Sequence, residues 1–200
     1  MATKRRMGPE SSTTRFLLMD AVEAVMREQG YAALSARSVA ARAGLKYQIV
    51  FYYFATMDDL LLATYRRRTE SVLARTEEAL SSEQPLHALW KASSDPFDAS
   101  LSLEYMAMSN HNAVIRAETI AFGERIRQVV ADRLRSRLEA ASPDPDVFTP
   151  MGVAVSVFLM GGIFGFESAL GLAGGHREVE AIVAWGLRQF EPENAPAEVS

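Results

Sequence analysis

The stretch "ARAGLKYQIVFYYF", residues 41–54, decides how the front of this chain folds. Gly44 predicts a sharp turn, because glycine adopts a positive φ without steric cost. A short helix from about residue 46 to residue 54 should follow the turn. It carries five aromatic rings in eight positions, namely Tyr47, Phe51, Tyr52, Tyr53 and Phe54. These rings either form a buried core or act at a surface, and the flanking sequence bears on that choice.

Two further helices precede this segment. From Thr14 to Gln29, apolar residues recur at helical spacing, and Gly30 is a natural stop at the C-terminal end. Ser35 is a suitable N-cap for a second, short helix. Two short helices joined by a tight glycine turn predict a helix-turn-helix, whose second helix enters the major groove of DNA.

The rest of the sequence is also predicted to be helical, with no convincing strand. Thr56 is expected to cap a long helix that runs to Leu80. Further helices are predicted at 86–93, 96–109, 113–141, 150–172 and 177–190, with a turn or linker at 142–146. The predicted fold class is therefore all-α, with about nine helices.

Charge is distributed unevenly along the chain. The net charge is −4, yet the residues through Met57 carry eight Lys and Arg against four Asp and Glu. Lys4, Arg5 and Arg6 could be a solvated tail, but other basic residues lie within the apolar pattern. A basic front on an acidic body indicates that the front contacts a polyanion.

Composition excludes several classes of protein. The chain has no cysteine, so disulfides, thiolate metal sites and cysteine nucleophiles are absent. The basic N-terminus is not followed by an apolar run, which argues against a secretory signal. The longest apolar stretch, from Met151 to Phe166, is shorter than the roughly 20 residues that a membrane span needs. We therefore expect a soluble, cytoplasmic protein without a membrane partner.

Four segments between Thr14 and Leu60, in register and without a gap, resemble the DNA-binding domain of the tetracycline-repressor (TetR) family of transcriptional regulators. They are "LLMDAVEAVMREQGY", "SVAARAGL", "VFYYF" and "TMDDL". The resemblance implies a disordered basic arm at 1–12, a helix-turn-helix domain at 13–57, a helical ligand-binding and dimerisation domain at 58–190, and a disordered tail at 191–200. The chain departs from the family pattern at Lys46, Gln48, Phe51, Tyr53 and Met57.

The resemblance places the DNA-binding residues around the third helix. The expected contacts are Arg37, Lys46, Tyr47, Gln48, Tyr52, Tyr53 and Thr56. Gln48 can form a bidentate pair with adenine, Lys46 can reach guanine or phosphate, and tyrosine hydroxyls can donate to phosphate oxygens. Ile49, Val50 and Phe54 are expected to face the first two helices. The alternative is that all five rings of the segment are core.

The last two predicted helices would form a four-helix interface in a homodimer, as the resemblance implies. Gly161, Gly165 and Ala169 make a stripe of small residues where another helix can approach closely. The final helix would contribute apolar residues to the same interface: Val179, Ile182, Val183 and Leu187. The alternative is an ordinary buried helix in a monomer.

The resemblance also implies a small-molecule effector bound among the central helices. The candidate residues are Trp90, Phe97, Leu101, Tyr105, Met108, His111, Phe122 and Phe158, a composition that suits an apolar ligand but also an ordinary core. His111 is either a polar anchor or a structural histidine. The effector would release the dimer from a pseudo-palindromic operator on double-stranded DNA through linkage between the two sites. Movement would pass along the helix that starts near Asp58.

Two other classes of function compete with this interpretation. An enzyme is not expected, because the three histidines are scattered and neither His-Glu-x-x-His nor Gly-x-Ser-x-Gly occurs. We predict no catalytic residue, cofactor or metal site. A helical adaptor that binds protein through the aromatic segment is the main alternative, and loss of specific DNA binding on substitution of Lys46, Tyr47 and Gln48 would argue against it.

Overall fold

The computed structural model describes residues 8–9, 11–141 and 144–191. Within these residues the fold is all-α without strands, as predicted. It contains α1 Thr13–Gln29, α2 Ala36–Arg42, α3 Gln48–Tyr53, α4 Met57–Leu80, α5 Pro85–Ser93, α6 Pro96–Ser109, α7 Ala113–Ala141, α8 Pro150–Leu170 and α9 His176–Arg188. A short 3-10 helix, Tyr31–Ala33, separates α1 from α2.

Local sequence signals account for the start of α2 and for the turn between α2 and α3. The Ser35 hydroxyl accepts a hydrogen bond from the Ser38 backbone N–H at 3.0 Å, and the Ser38 hydroxyl accepts one from the Ser35 N–H at 2.9 Å. This reciprocal cap satisfies donors that the first turn of α2 leaves unpaired. Gly44 has a φ of 69°, so the predicted glycine turn is present between α2 and α3.

The chain divides into two compact units. Unit 1 consists of the described parts of Met1–Ser71 together with Ser100–Phe122, and unit 2 of Val72–Ala99 together with the described parts of Gly123–Ser200. This division differs from the boundary at residue 57 that the sequence suggested. Helix α4 continues without a break past that boundary, and the helical segment after Ser100 joins the core of the front unit.

The core of unit 1 combines the helix-turn-helix segment with parts of α6 and α7. Val22 from α1, Val50 from α3 and Phe54 are at most 1% exposed. Leu101 from α6 and Ile115 from α7 are fully buried in the same apolar cluster. The front three helices therefore do not enclose their core alone, because later segments of the chain complete it.

The core of unit 2 brings α5, α7 and α8 together. Leu86 and Leu89 from α5 contact Leu134 and Leu138 from α7 and Ala154 from α8, and each of these side chains is at most 1% exposed. Each of the three helices thus buries an apolar face in a shared core. Helical periodicity predicts such a face on each helix, but it does not show which faces pack together. Phe158 and Leu187 lie at the edge of this cluster and are partly buried.

Two glycines of α8 allow a close approach of α5 within unit 2. A Cβ atom on Gly161 would lie 2.8 Å from the Ser93 Cβ, and one on Gly165 would lie 3.0 Å from the Ser94 carbonyl oxygen. Both glycines are buried within their own chain. Gly161 and Gly165 therefore pack against the end of α5 in their own chain and not against a second subunit as predicted, because a Cβ atom at either position would be crowded by Ser93 or Ser94. Ala169, the third residue of the predicted stripe, is exposed.

The other side of α8 is apolar and exposed. The helix is 21 residues long, its most apolar window has a mean hydropathy of 1.8, and only 22% of that window is buried. By length and composition alone α8 is long and apolar enough to cross a membrane, but the core helices of soluble proteins meet the same two criteria. Because α8 also packs on α5, it leaves an apolar face for some partner to cover.

The predicted arm and tail lie mostly outside the described residues, but one residue at each end is buried. Gly8 is buried within unit 1. Glu191 is 3% exposed, and its carboxylate accepts a hydrogen bond from the Leu86 N–H at 2.8 Å and lies 2.9 Å from the His87 Nδ1. The predicted disorder is thus wrong at these two positions. Glu191 satisfies a free backbone donor at the start of α5.

The packing of α8 predicts opposite effects for adjacent glycines. We expect Gly161→Ala to lower the free energy of unfolding by about 1–3 kcal/mol, because its methyl group overlaps Ser93. Gly162→Ala, whose Cβ meets nothing within 4 Å, should raise that free energy by up to about 1 kcal/mol. Urea unfolding at two protein concentrations measures both effects. Loss of dimer with unchanged unfolding of the monomer would instead place Gly161 in a subunit interface.

Candidate nucleic-acid interface

One face of the α3 segment is buried and the other is exposed. Val50 and Phe54 point into the core of unit 1, as predicted. Lys46, Tyr47, Gln48 and Tyr52 are exposed. Gln48 and Tyr52 are four residues apart, so they lie on the same side of α3. Four predicted DNA-contacting residues are thus available to a ligand in solution.

Tyr53 lies on the buried side, which corrects its prediction as a DNA contact. Its side chain is only 9% exposed, and its hydroxyl accepts a hydrogen bond from the Ser12 hydroxyl at 2.9 Å. Its ring meets the Tyr52 ring edge-on, with 4.9 Å between centroids. Tyr53 follows Val50 by three positions, and that spacing turns both side chains toward the core. The aromatic segment therefore serves both purposes, as core and as exposed surface.

Arg37 of α2 extends the exposed face of α3. Its guanidinium lies over the Tyr47 ring, with 5.9 Å between the guanidinium carbon and the ring centroid. Both side chains are exposed. A cation held over an aromatic face keeps its charge and its remaining donors for a phosphate. Arg42, by contrast, is paired with Glu28 at 3.0 Å.

Thr56 is exposed, but its hydroxyl is already hydrogen-bonded at the start of α4. Its hydroxyl donates to the Asp59 carboxylate at 2.9 Å and accepts from the Asp59 N–H at 3.1 Å, which confirms the predicted cap. A phosphate contact that uses the hydroxyl proton would require the first of these hydrogen bonds to break. The geometry therefore gives Thr56 a capping role, and its contact with DNA stays a prediction.

Two contacts that the sequence analysis missed fix the end of α3. The Arg15 guanidinium donates to the Tyr53 carbonyl oxygen at 3.0 Å and lies 4.1 Å from the centroid of the Phe54 ring. The Gly8 N–H donates to the Tyr52 carbonyl oxygen at 3.0 Å. Both contacts join residues about 40 positions apart, so no local pattern could have revealed them. They satisfy carbonyl groups that the end of a helix leaves free.

Residues of α6 and α7 contact the helix-turn-helix segment inside unit 1. The Tyr31 N–H donates to the Glu104 carboxylate at 2.7 Å. The Asn112 side-chain amide donates to the Asp58 carboxylate at 2.7 Å, and its oxygen accepts from the first backbone N–H groups of α7. The His111 ring stacks on the Tyr31 ring, with 6.2 Å between centroids. The turn between α1 and α2 is therefore held by later parts of the chain.

The predicted effector residues do not lie together in one unit. Leu101, Tyr105 and Met108 are at most 4% exposed in the core of unit 1, where Phe122 is partly buried. In unit 2, the Trp90 ring contacts Phe164, Phe158 borders the core and Phe97 is 65% exposed. For Leu101 and Met108 the structure supports the alternative reading as ordinary core residues.

Tyr105 differs from the other candidates because its polar atom is buried without a partner. The side chain is 2% exposed, and no hydrogen bond to its hydroxyl occurs within the described residues. Burial raises the pKa of Tyr105 well above its usual value, so the hydroxyl keeps its proton. A buried hydroxyl without a partner costs about 1–3 kcal/mol. This group could donate a hydrogen bond to an acceptor that enters the core of unit 1.

The predicted dimer residues fall into two groups. Ala169, Val179 and Ile182 are exposed, and Ile182 remains 64% accessible. Val183 and Leu187 are partly buried, and Leu187 packs against the core of unit 2. The sequence analysis missed further exposed apolar residues of α8 and α9 and of the loop between them, namely Leu159, Met160, Ile163, Leu170, Leu172 and Trp185.

His176 lies beside a serine and a glutamate in unit 2. Its Nε2 is 3.0 Å from the Glu167 carboxylate and its Nδ1 is 3.4 Å from the Ser168 hydroxyl. The Ser168 hydroxyl, however, donates to the Phe164 carbonyl oxygen at 2.8 Å, and the His176 ring stacks on the Phe164 ring. These contacts hold the start of α9 against α8. Within the described residues, no cluster of three or more His, Cys, Asp or Glu side chains could hold a metal ion.

Comparison with known proteins supports a regulatory role for the front segment. Residues 18–64 match the family described as bacterial regulatory proteins, tetR family. No curated protein matches the chain. Among solved structures, Salmonella enterica GusR superimposes with a TM-score of 0.71 at 17% identity, covering 92% of this chain and 97% of that one.

Two further structures share the fold over a similar length. A transcriptional regulator from Rhodococcus sp. Rha1 superimposes with a TM-score of 0.71 at 19% identity, over 89% of this chain and 96% of that one. The fatty acid degradation regulator FadR from Bacillus halodurans has a TM-score of 0.69 at 15% identity, over 90% and 99%. At these identities the likeness concerns the fold.

The geometry of α3 predicts different outcomes for two adjacent tyrosines. Tyr52→Phe removes an exposed hydroxyl that can donate to phosphate, so we expect DNA affinity to fall about tenfold, or ~1.4 kcal/mol. Tyr53→Phe breaks the hydrogen bond from Ser12 instead, and should lower the free energy of unfolding by about 1 kcal/mol with DNA affinity unchanged. Fluorescence anisotropy with a labelled duplex and urea unfolding separate the two effects. Equal losses of DNA affinity would mean that Tyr53 also reaches the duplex.

Proposed function

We propose that this chain is a cytoplasmic transcriptional regulator that binds a pseudo-palindromic operator as a homodimer, because residues 18–64 match the family described as bacterial regulatory proteins, tetR family. The observation that carries the proposal is the exposed face of α3. It presents Lys46, Gln48 and Tyr52 to solvent, while the opposite face is anchored in the core of unit 1.

The chemistry of this face suits DNA in two ways. Gln48 offers a donor and an acceptor, which match the N7 and N6 groups of adenine in the major groove. Tyr52, Arg37 and Lys46 supply donors and positive charge for phosphate oxygens, and such contacts fix the orientation of the protein on the duplex. Gln48 would therefore contribute to sequence preference, and its neighbours mainly to affinity.

A homodimer would cover the exposed apolar surface of α8 and α9. Ile163, Ile182 and Trp185 are each about 60% exposed in a single chain. Large exposed apolar patches mark interaction sites, and tryptophan is enriched where binding energy concentrates. Two copies joined through these helices would present two α3 helices to one duplex. A symmetric dimer of this kind reads half-sites about one helical turn apart.

For the effector, we propose a small, largely apolar molecule that accepts a hydrogen bond from Tyr105. The hydroxyl is buried without a partner within the described residues, and burial raises its pKa further above neutral, so it remains a hydrogen-bond donor. The preceding residue, Glu104, accepts a hydrogen bond from the Tyr31 N–H at the turn between α1 and α2. A ligand that displaced α6 at Tyr105 would therefore disturb the turn that precedes α2 and weaken operator binding. DNA would weaken ligand binding by the same factor.

Selection of bound sequences from a random duplex pool tests the proposed function. We expect an enriched inverted repeat with half-sites about one helical turn apart, and an affinity that falls steeply with salt. Gln48→Ala should relax the preference at one position of each half-site by about 1–3 kcal/mol. The control is Ile182→Glu, which places a charge on the proposed dimer surface and should weaken both dimerisation and operator affinity. Enrichment of no sequence would favour a helical protein-binding adaptor.

The role of Glu104 gives a second test. Glu104→Ala should leave the Tyr31 N–H without its partner, which costs about 1–3 kcal/mol if the group stays buried. We expect faster amide exchange at Tyr31 and weaker operator binding, both of which Glu104→Gln should largely restore because its amide oxygen still accepts. Hydrogen exchange and anisotropy measure the two effects. Normal exchange at Tyr31 in the alanine variant would disprove the proposed link between α6 and the DNA-binding segment.

A further inference from the structure

Helix α5 begins without a cap from its own segment. Its first residue, Pro85, has no N–H group, and the side chain of Gln84 makes no capping hydrogen bond within the described residues. The N–H groups of Leu86 and His87 therefore need an acceptor from elsewhere in the chain. Glu191, 105 positions after Leu86, supplies it: its carboxylate accepts from the Leu86 N–H at 2.8 Å and from the His87 N–H at 3.3 Å.

The Glu191 carboxylate is almost wholly removed from solvent. Its side chain is 1% exposed, and besides the two backbone donors it has the His87 Nδ1 at 2.9 Å and the Arg137 guanidinium at 3.6 Å. A buried carboxylate is costly unless it is hydrogen-bonded and paired, and the N-terminal end of a helix favours negative charge. These partners come from α5 and α7, so the chain just after α9 is fastened to two other helices of unit 2.

Helix α9 makes a shallow contact along its length and polar contacts at its ends. None of its 13 residues is buried, although its inner face packs partly on the core of unit 2. At its start, the His176 Nε2 lies 3.0 Å from the Glu167 carboxylate, and Glu191 holds the opposite end. Between these attachments, Ile182 and Trp185 are 64% and 62% exposed on the proposed dimer surface. The direction in which α9 presents them therefore depends on how its ends are held.

We propose that Glu191 is a positioning residue for subunit association: by capping α5 it fixes the end of α9, and so the orientation in which Ile182 and Trp185 meet a second copy of this chain. The inference rests on the proposed function, because it concerns the same homodimer. A surface already held in its bound orientation loses less conformational entropy on association. When α9 leaves that orientation, the apparent Kd rises in inverse proportion to the fraction of chains that keep it.

The first measurement is the Kd of the dimer, by analytical ultracentrifugation, for the unaltered chain and for Glu191→Ala. If α9 then keeps its orientation about one tenth of the time, Kd rises about tenfold for each subunit and about a hundredfold for the homodimer. Glu191→Gln should raise Kd about tenfold, because its amide oxygen still accepts from one backbone N–H but its charge is lost. The matched control is Glu139→Ala, which removes the same charge from an exposed position of α7 and should leave Kd unchanged.

Amide hydrogen exchange separates positioning of α9 from general destabilisation. The measurement is made in the Ile182→Glu background, in which no second subunit should cover α9. There Glu191→Ala should speed exchange about tenfold at Leu86 and at Leu187, because a detached helix of 13 residues is marginal in water. The amide of Leu134, at the centre of the unit 2 core, should keep its rate.

Three results would overturn the proposal. If the unaltered chain stays monomeric at every concentration, the proposed homodimer fails and the role of Glu191 fails with it. If it dimerises and Glu191→Ala dimerises equally well, the positioning role is wrong while the proposed function stands. If Leu134 exchanges faster by the same factor as Leu187, Glu191 stabilises unit 2 as a whole and does not position α9. If the alanine variant does not fold, Glu191→Gln decides: an unchanged Kd, or a rise without faster exchange in α9, contradicts the proposal.

Discussion

Burial of Val50 and Phe54 is the constraint on which the exposed surface of α3 depends. Helix α3 is only six residues long, and a helix of that length is not stable by itself in water. Its inward side chains join α1, α6 and α7 in one core, and the Arg15 guanidinium packs on the Phe54 ring. Truncation of a buried phenylalanine to alanine lowers the free energy of unfolding by about 3–5 kcal/mol. Because α3 and Phe54 are held this firmly in the core, the orientation of Gln48 and Tyr52 on the opposite side is fixed as well.

The same core connects the residues of the proposed effector site to the front helices. Leu101 and Tyr105 of α6 are buried together with the front helices, and Glu104 holds the backbone of Tyr31. The expectation that movement travels along α4 is therefore incomplete, because α6 already reaches the turn before α2. Close-packed cores do not deform continuously, so a small shift at Tyr105 would be carried to its neighbours.

Glycine is used for two different close approaches in this chain. Gly161 and Gly165 bring α8 against α5, whereas Gly8 itself lies against the rings of Tyr52 and Tyr53. In both cases glycine permits the contact because it has no Cβ atom, and the conformational freedom of its backbone is less important. The packing of α8 on α5 also decides which of its faces remains exposed, and so which residues can meet a second subunit.

The sequence by itself determined the all-α class, the caps at Ser35 and Thr56, and the glycine turn at Gly44, because these signals act within a few residues. It also placed the helix-turn-helix, where spacing separates the inward Val50 from the outward Gln48. Only the tertiary structure decided the burial of Tyr53, the partner of Gly161, and the contacts of Gly8, Glu104 and Glu191. These features join residues far apart in the chain, and a pattern of neighbouring residues carries no information about which distant surface will cover them.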